Sequence, residues 1–305
     1  MPSSPAQQMG AREWALLCLL SVLWGGSFFF NALAVAEWPP FAVVLVRVGL
    51  AAMALLAIVR LTGAPTAAAW PLWPSFLLMG ILNNLVPFTL ILWGQTQIAS
   101  GLASIINATT PIFTVVVMHL FGGEPASGRK MAGVFAGLAG VAILMGPDAL
   151  GGLGGHLAAQ LACVGATLSY AFSGLVARRF RQLPPLVSAA GQLSATTAMA
   201  IPILLVVHPP WTLPLPSPTA LGAMAGLALA STALAYAIFF RIMRAAGPTN
   251  VALVTFLIPV SAILLGTFVL GEALLPRHIG GMAAIFAGLA LIDGRLVRRL
   301  TKASV

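Results

Sequence analysis

The feature that most constrains this chain is a series of ten apolar stretches, most of them about 20 residues long, set close together. That is the length an α-helix needs to cross the hydrocarbon core of a bilayer. Lipid offers no hydrogen bonds, so a spanning segment has to satisfy its own backbone, and a single apolar stretch does so as a helix. The stretches run approximately Trp14–Ala36, Phe41–Leu61, Leu72–Gly94, Ser100–Phe121, Lys130–Gly146, His156–Ala177, Leu186–Val207, Pro218–Phe240, Pro248–Leu270 and His278–Asp293. Turn formers separate them: Pro39-Pro40, Gly122-Gly123, the Gly151–Gly155 cluster, Pro184-Pro185 and Pro209-Pro210. The connections are short and leave no room for a soluble domain. The expected fold class is an all-α integral membrane protein with ten transmembrane helices. Only 7% of the residues are charged, against roughly 25% in a soluble domain, too few to cover a water-facing surface. Ala32-Leu33-Ala34 resembles a signal cleavage site, but the preceding apolar run is longer than a signal h-region, so the first stretch is read as a retained span.

A net charge of +9 would suit nucleic acid if the basic residues formed one patch interleaved with aromatics. They do not, and nucleic acid is excluded as a partner; the partners expected are the bilayer and a small-molecule solute. With the N-terminus inside, the cytoplasmic groups are Arg12; Arg60; Arg129 and Lys130; Arg178, Arg179 and Arg181; Arg241 and Arg244; and Arg295, Arg298, Arg299 and Lys302, which is 13 of the 15 basic residues. Arg277 falls outside and Arg47 falls within a span. The positive-inside rule then places both termini in the cytoplasm, as an even number of helices requires. Short loops and absent ectodomains suit a bacterial inner membrane.

The chain also repeats itself. "WGGS" at Trp24–Ser27 aligns with "YAFS" at Tyr170–Ser173, and Pro39-Pro40 with Pro184-Pro185. Pro111 precedes Gly123-Glu124 at the spacing by which Pro259 precedes Gly271-Glu272, and "FAGLAG" from Phe135 returns as "FAGLAL" from Phe286. Each repeat holds five helices, an odd number, so the second enters the membrane from the opposite side. Two inverted five-helix repeats are a recurrent construction of secondary transporters, in which related halves exchange conformations around one central site. The expected organisation is a cytoplasmic tail at 1–12, one repeat at 13–147, the second at 148–294 and a basic cytoplasmic tail at 295–305.

On these residues the chain resembles the drug/metabolite transporter superfamily, in particular its ten-helix EamA-type members. The resemblance is carried by "LWGGSFF" in the first helix, Pro39-Pro40 followed by Arg47 in the second, and "ASGLASIINATTPIFTVVVMHLFGGE" in the fourth with its counterpart "GPTNVALVTFLIPVSAILLGTFVLGE" in the ninth. It covers essentially the whole chain, and among relatives it is most similar to the YddG branch of amino acid exporters. The resemblance implies passage of small organic solutes through a cavity lined by helices 1, 3, 4, 6, 8 and 9.

Polar groups at mid-depth are costly in lipid and usually face protein or water. The candidates to line a cavity are Trp24, Asn83, Asn84, Asn107, Thr110, Tyr170, Ser173, Ser231, Tyr236 and Thr255, with Ser169 and Thr232 beside them. Each Ser, Thr or Asn has a second reading, as a hydrogen bond between packed helices. Trp24 and Tyr170, matched by the repeat, would suit an apolar or aromatic solute if they faced each other. Pro87, Pro111 and Pro259 remove backbone hydrogen bonds and are candidate breaks or gates. Arg47 is read as a structural charge, paired with Glu37 or with helix-end carbonyls, or as an anchor for a substrate carboxylate. His119 titrates near neutrality and is a candidate for coupling or for a neutral interfacial role. The Gly133/Gly137 G-x-x-x-G spacing permits close packing within or between subunits and leaves the oligomeric state open.

No metal-ligand spacing surrounds Cys18 or Cys163, and no cofactor is expected. The six carboxylates, Glu13, Glu37, Glu124, Asp148, Glu272 and Asp293, all lie at or near span ends. Without a deep carboxylate, an intramembrane enzyme lacks its acid–base machinery, and strict proton coupling is expected to be weak or absent. The function expected is export of small, mostly neutral metabolites, amino acids first among them and hydrophobic or aromatic ones included, by alternating access. Exporters of other drugs or metabolites, a passive channel and an enzyme are the alternatives.

Overall fold

The computed structural model describes residues 10–145, 155–246, 248–251 and 253–293. Residues 1–9 of the tail expected at 1–12, the tail at 295–305, most of the Gly151–Gly155 cluster and Asp148 lie outside the described residues. Ten helical segments follow one another: α1 (Ala11–Val35), α2 (Pro40–Leu61), α3 (Ala67–Gln95), α4 (Ser100–Leu120), α5 (Gly128–Met145), α6 (Gly155–Ala177), α7 (Pro185–Val207), α8 (Pro218–Ala225, Gly226–Leu234 and Ala235–Ala246), α9 (Pro248–Val251 and Val254–Leu270) and α10 (Pro276–Asp293). Seven of them, α1–α4 and α6–α8, contain a stretch long and apolar enough to cross a membrane, and Val254–Leu270 and Pro276–Ile292 are shorter apolar helices. The remaining one, α5, carries Arg129 and Lys130 in its first turn and pairs along its length with α10.

Proline starts several of these helices, because its fixed φ suits the first turn and its missing N–H is not needed there. Pro40 opens α2 and Pro185 opens α7, each after a second proline. The repeat extends to the backbone at the helix ends: Gly123 after α4 and Gly271 after α9 both take the left-handed conformation (φ 68° and 69°) that a side chain resists.

Packing follows a pseudo-two-fold pattern. The matched helices α2 and α7 pack on each other, as do α5 and α10. The contact of α1 with α9 is answered by that of α6 with α4, that of α3 with α6 by that of α8 with α1, and that of α2 with α8 by that of α7 with α3. Directions agree with alternating crossings. Ser21 meets Ser261 and Gly26 meets Leu265, so α1 and α9 run parallel, whereas Gly133 meets Gly288 and Gly140 meets Gly281, so α5 and α10 run antiparallel. The two halves are thus inverted repeats.

Small residues set the closest approaches. A Cβ at Gly25 would lie 2.6 Å from the Ser261 Cβ and 2.8 Å from the Ile258 carbonyl, and one at Gly133 would lie 2.6 Å from the Gly288 carbonyl. The Gly133/Gly137 spacing is therefore used within the chain, against α10 and Ile112 of α4. Outward-facing Val22, Met53, Leu264 and Phe268 are exposed, as lipid-facing side chains should be. We expect Gly133→Val to cost about 1–3 kcal/mol by overpacking, seen as a lower Tm in detergent. Gly222→Val, where nothing lies within 4 Å of an added Cβ, should leave Tm nearly unchanged.

Candidate functional site

Two helices lose α-helical winding at related places. In α3 the turn Ile81–Leu85 is π-wound, and in α8 the stretch Gly226–Leu234 is; each follows eight α-helical residues, Trp73–Gly80 and Pro218–Ala225. The Val86 N–H reaches back to the Ile81 carbonyl and the Ala235 N–H to that of Ala230, five residues in both cases. In α3 the buried Pro87 has no N–H to give, so a wider turn there redistributes the ladder. Such bulges are frequent at functional positions.

Polar side chains gather at both bulges. The Asn83 amide donates to Gln192 Oε1 (3.3 Å) and the Tyr236 hydroxyl (3.4 Å), and its Oδ1 accepts from Ser173 (3.1 Å). Asn84, wholly buried, donates to Thr196 at 3.1 Å. At the second bulge Thr232 accepts from Arg47 Nε at 3.1 Å and donates to the Leu227 carbonyl at 2.7 Å. The Arg47 guanidinium lies 3.8 Å from the Phe88 ring centre, and Tyr170 and Tyr236 are near enough to act on it electrostatically. Counting from the double prolines, Gln192 is the repeat counterpart of Arg47, so α2 grips the α8 bulge as α7 grips the α3 bulge.

Asn83, Ser173 and Tyr236 thus belong to one hydrogen-bonded group, with Tyr170 linked through its carbonyl to Ser173 and Asn84 on the neighbouring face of α3. Ser231 is buried beside Thr232 with no bonded partner for its hydroxyl. Trp24 packs on Phe239 (5.4 Å) rather than on Tyr170, and Tyr236, Phe239 and Phe240 continue this aromatic wall. Asn107 and Thr255 are repeat counterparts, partly buried and not bonded to the Asn83 group; the Asn107 Oδ1 has no partner. Thr110 bonds its own helix at the Asn107 carbonyl.

The three prolines act differently. Pro111 opens the second piece of α4 after a turn at Ala108-Thr109, and Pro87 follows the α3 bulge. Pro259 sits inside the continuous segment Val254–Leu270, where it leaves the Thr255 carbonyl without its usual donor. His119 is exposed at the helix end and accepts the Ala126 N–H at 3.1 Å, with no bond to the Asn83 group. Gln192, Thr196 and Phe88 were not among the sequence candidates; seven residues beyond Pro185, as Arg47 is beyond Pro40, Gln192 was legible through the repeat.

Every described carboxylate lies at a helix end. Glu37 accepts from the Ser217 backbone N–H and hydroxyl, which hold its carboxyl below the usual carboxylate range. Glu272 accepts from Ser100 N (2.7 Å), Ser100 Oγ (2.8 Å) and Gly101 N (3.1 Å). These are orphan N–H groups at the α4 N-terminus, where a carboxylate is favoured by both hydrogen bonding and the helix dipole. Its repeat counterpart Glu124 is engaged elsewhere, 2.7 Å from Arg178. Arg178 also donates to the Gly122 carbonyl.

The EamA-like transporter family model matches this chain twice, over residues 12–146 and 157–293. The chain belongs to the EamA-like transporter family. It is 28% identical over 261 residues (85% of this chain, 83% of the relative) to YedA of Escherichia coli K12, described as an uncharacterized inner membrane transporter. It is 25% identical to the uncharacterized transporter YvbV of Bacillus subtilis (92% of each chain) and 27% identical to the protein PecM of Dickeya dadantii (89% of each). A crystal structure of a protein 19% identical to it shares the fold, with a TM-score of 0.67 over 94% of this chain and 99% of the other. The chain is therefore a membrane transporter of that family, which is not an enzyme family.

Interhelical hydrogen bonds in membrane proteins average about 0.6 kcal/mol, with a maximum near 1.7. A double-mutant cycle of Asn83→Ala and Gln192→Ala, read from unfolding in bicelles, should return a coupling of about that size; no coupling would separate the two residues.

Proposed function

We propose that this chain exports small, mostly neutral metabolites, with amino acids, hydrophobic and aromatic ones included, as the leading class. In this reading it works by alternating access in an inner (plasma) membrane, with both termini cytoplasmic, and belongs with the YddG-like amino acid exporters. Trp24, Asn83, Tyr170, Ser173, Ser231 and Tyr236 are the nearest lining, and Asn84, Asn107, Thr110 and Thr255 are reached as the halves move. The aromatic wall of Trp24, Tyr236, Phe239 and Phe240 suits an apolar side chain, and the absence of a carboxylate near Asn83 among the described residues fits transport without strict proton coupling. The basic end of the bundle supports the cytoplasmic placement, and the similarity to YedA, an inner membrane transporter, supports the inner membrane.

The observation that carries alternating access is the unequal state of Glu124 and Glu272. Two positions made equivalent by the repeat have different partners: Glu272 fastens α9 to the start of α4, while Glu124 turns to Arg178. Exchange of these states would open one end of the central site as it closes the other. Cells expressing the protein should tolerate toxic amino acid analogues, and proteoliposomes should take up the parent amino acids with saturation and counterflow. Unchanged tolerance together with no uptake would refute the reading.

The fastening has its own test. Glu272→Gln keeps the shape and removes the charge, and we expect a cysteine at the buried Leu102 position to react at least five-fold faster with an impermeant maleimide. Equal reactivity would show that Glu272 does not hold that end shut.

A further inference from the structure

We propose that Arg47 is the anion anchor of the central site, and that the solutes accepted there carry a carboxylate. The inference rests on the exporter reading above and deepens it. Arg47 is only 7% exposed, well inside α2. A guanidinium at that depth costs a few kcal/mol unless it is paired. No protein carboxylate answers it among the described residues: Glu13 bonds Gly10, Glu37 bonds Ser217, Glu124 bonds Arg178 and Glu272 bonds Ser100.

The geometry leaves one edge of the guanidinium available. Nε is taken by Thr232 and one face is covered by Phe88. Among the described residues neither terminal nitrogen has a protein acceptor, and neither is fully sealed, although the residue as a whole is only 7% exposed. That edge offers paired N–H groups in the fork that matches a carboxylate. Tyr170 and Tyr236 are near enough to act on the guanidinium electrostatically, and Tyr236 shares the Asn83 amide with Gln192.

The repeat supplies an internal control. Packing at the corresponding place in α7 is served by Gln192, a neutral amide that bonds Asn83 across the facing bulge. A contact of the same kind therefore does not require a cation, and the charge at position 47 sets α2 apart from α7. A solute would lie with its carboxylate on Arg47 and its neutral or apolar part toward Asn83, Ser173 and the aromatic side chains. A single guanidinium suits a monoanion better than a phosphate, which favours several cations.

The test is uptake and binding by full-length protein in proteoliposomes, using solute pairs that differ only at the carboxylate: L-phenylalanine and its amide, L-alanine and its amide, 3-phenylpropionate and 3-phenylpropionamide, with phenyl phosphate as a further arm. Wild type should favour at least one acid over its amide by ten-fold or more. Arg47→Gln, which installs the side chain its counterpart already carries, should abolish that preference, and Arg47→Lys should restore part of it. Should Arg47→Gln fail to fold, thermal shifts of wild type decide: stabilisation by an acid and not by its amide supports the anchor, and equal shifts overturn it. A folded Arg47→Gln protein that keeps the acid preference, or a wild type that favours phenyl phosphate ten-fold over the acids, overturns the anchor. Uptake of acids and amides alike overturns the anchor and leaves the exporter standing, whereas no uptake of any probe overturns both.

Discussion

A polar group placed inside a bilayer must find a partner in the protein, and the centre of this molecule is arranged around that requirement. The two bulged helices, α3 and α8, free part of their backbone ladder at mid-depth. Each is then gripped by a polar side chain from the matching helix of the other half: Gln192 on Asn83, and Arg47 on Thr232. These cross-connections join the repeats at their centre, while the glycine contacts of α1 with α9 and of α5 with α10 bring the backbones close enough for the polar groups to meet. The same requirement suits a site that, among the described residues, holds amides, hydroxyls and phenols with a single cation and no carboxylate.

Symmetry of fold does not mean symmetry of state. Gly123-Glu124 and Gly271-Glu272 share backbone conformation and sequence position, yet only Glu272 reaches the N-terminus of a facing helix. An inverted pair can hold two such states at once, one at each end, and an exchange between them needs no new fold. It needs the three hydrogen bonds of Glu272 to break at one end and Glu124 to leave Arg178 at the other. A difference of that size lies within reach of thermal motion and of a solute that favours one state.

Much of the architecture was legible in the sequence, because span length and hydropathy are local properties. The ten stretches and the double repeat were readable to within a few residues, apart from α3, which begins five residues earlier at Ala67, and α8, which continues beyond Phe240 to Ala246; Pro40 and Pro185, read as breaks, begin their helices. The polar contacts were less so. The spans are apolar around most of their circumference, so hydropathy leaves the rotation of each helix undetermined and with it the neighbour of each side chain. Trp24 was matched with Tyr170 by the repeat, but it packs on Phe239, since α1 lies against α8. Glu37 was a candidate partner for Arg47; it sits at the helix end and bonds Ser217 instead. Pro259 carries the signature of a break, but its helix continues through it. Asn83 was legible as an isolated amide in an apolar run, whereas Gln192 emerges only when the two halves are aligned.

The claim on which the account stands is that the two halves cross the membrane in opposite directions. Thr66 and Leu215 test it most directly, since each lies in the exposed connection between the second and third helices of its own half. Single cysteines at these positions, in a protein without Cys18 and Cys163, should react with an impermeant maleimide from opposite faces of oriented vesicles. Labelling of both from the same face would contradict the inverted repeat.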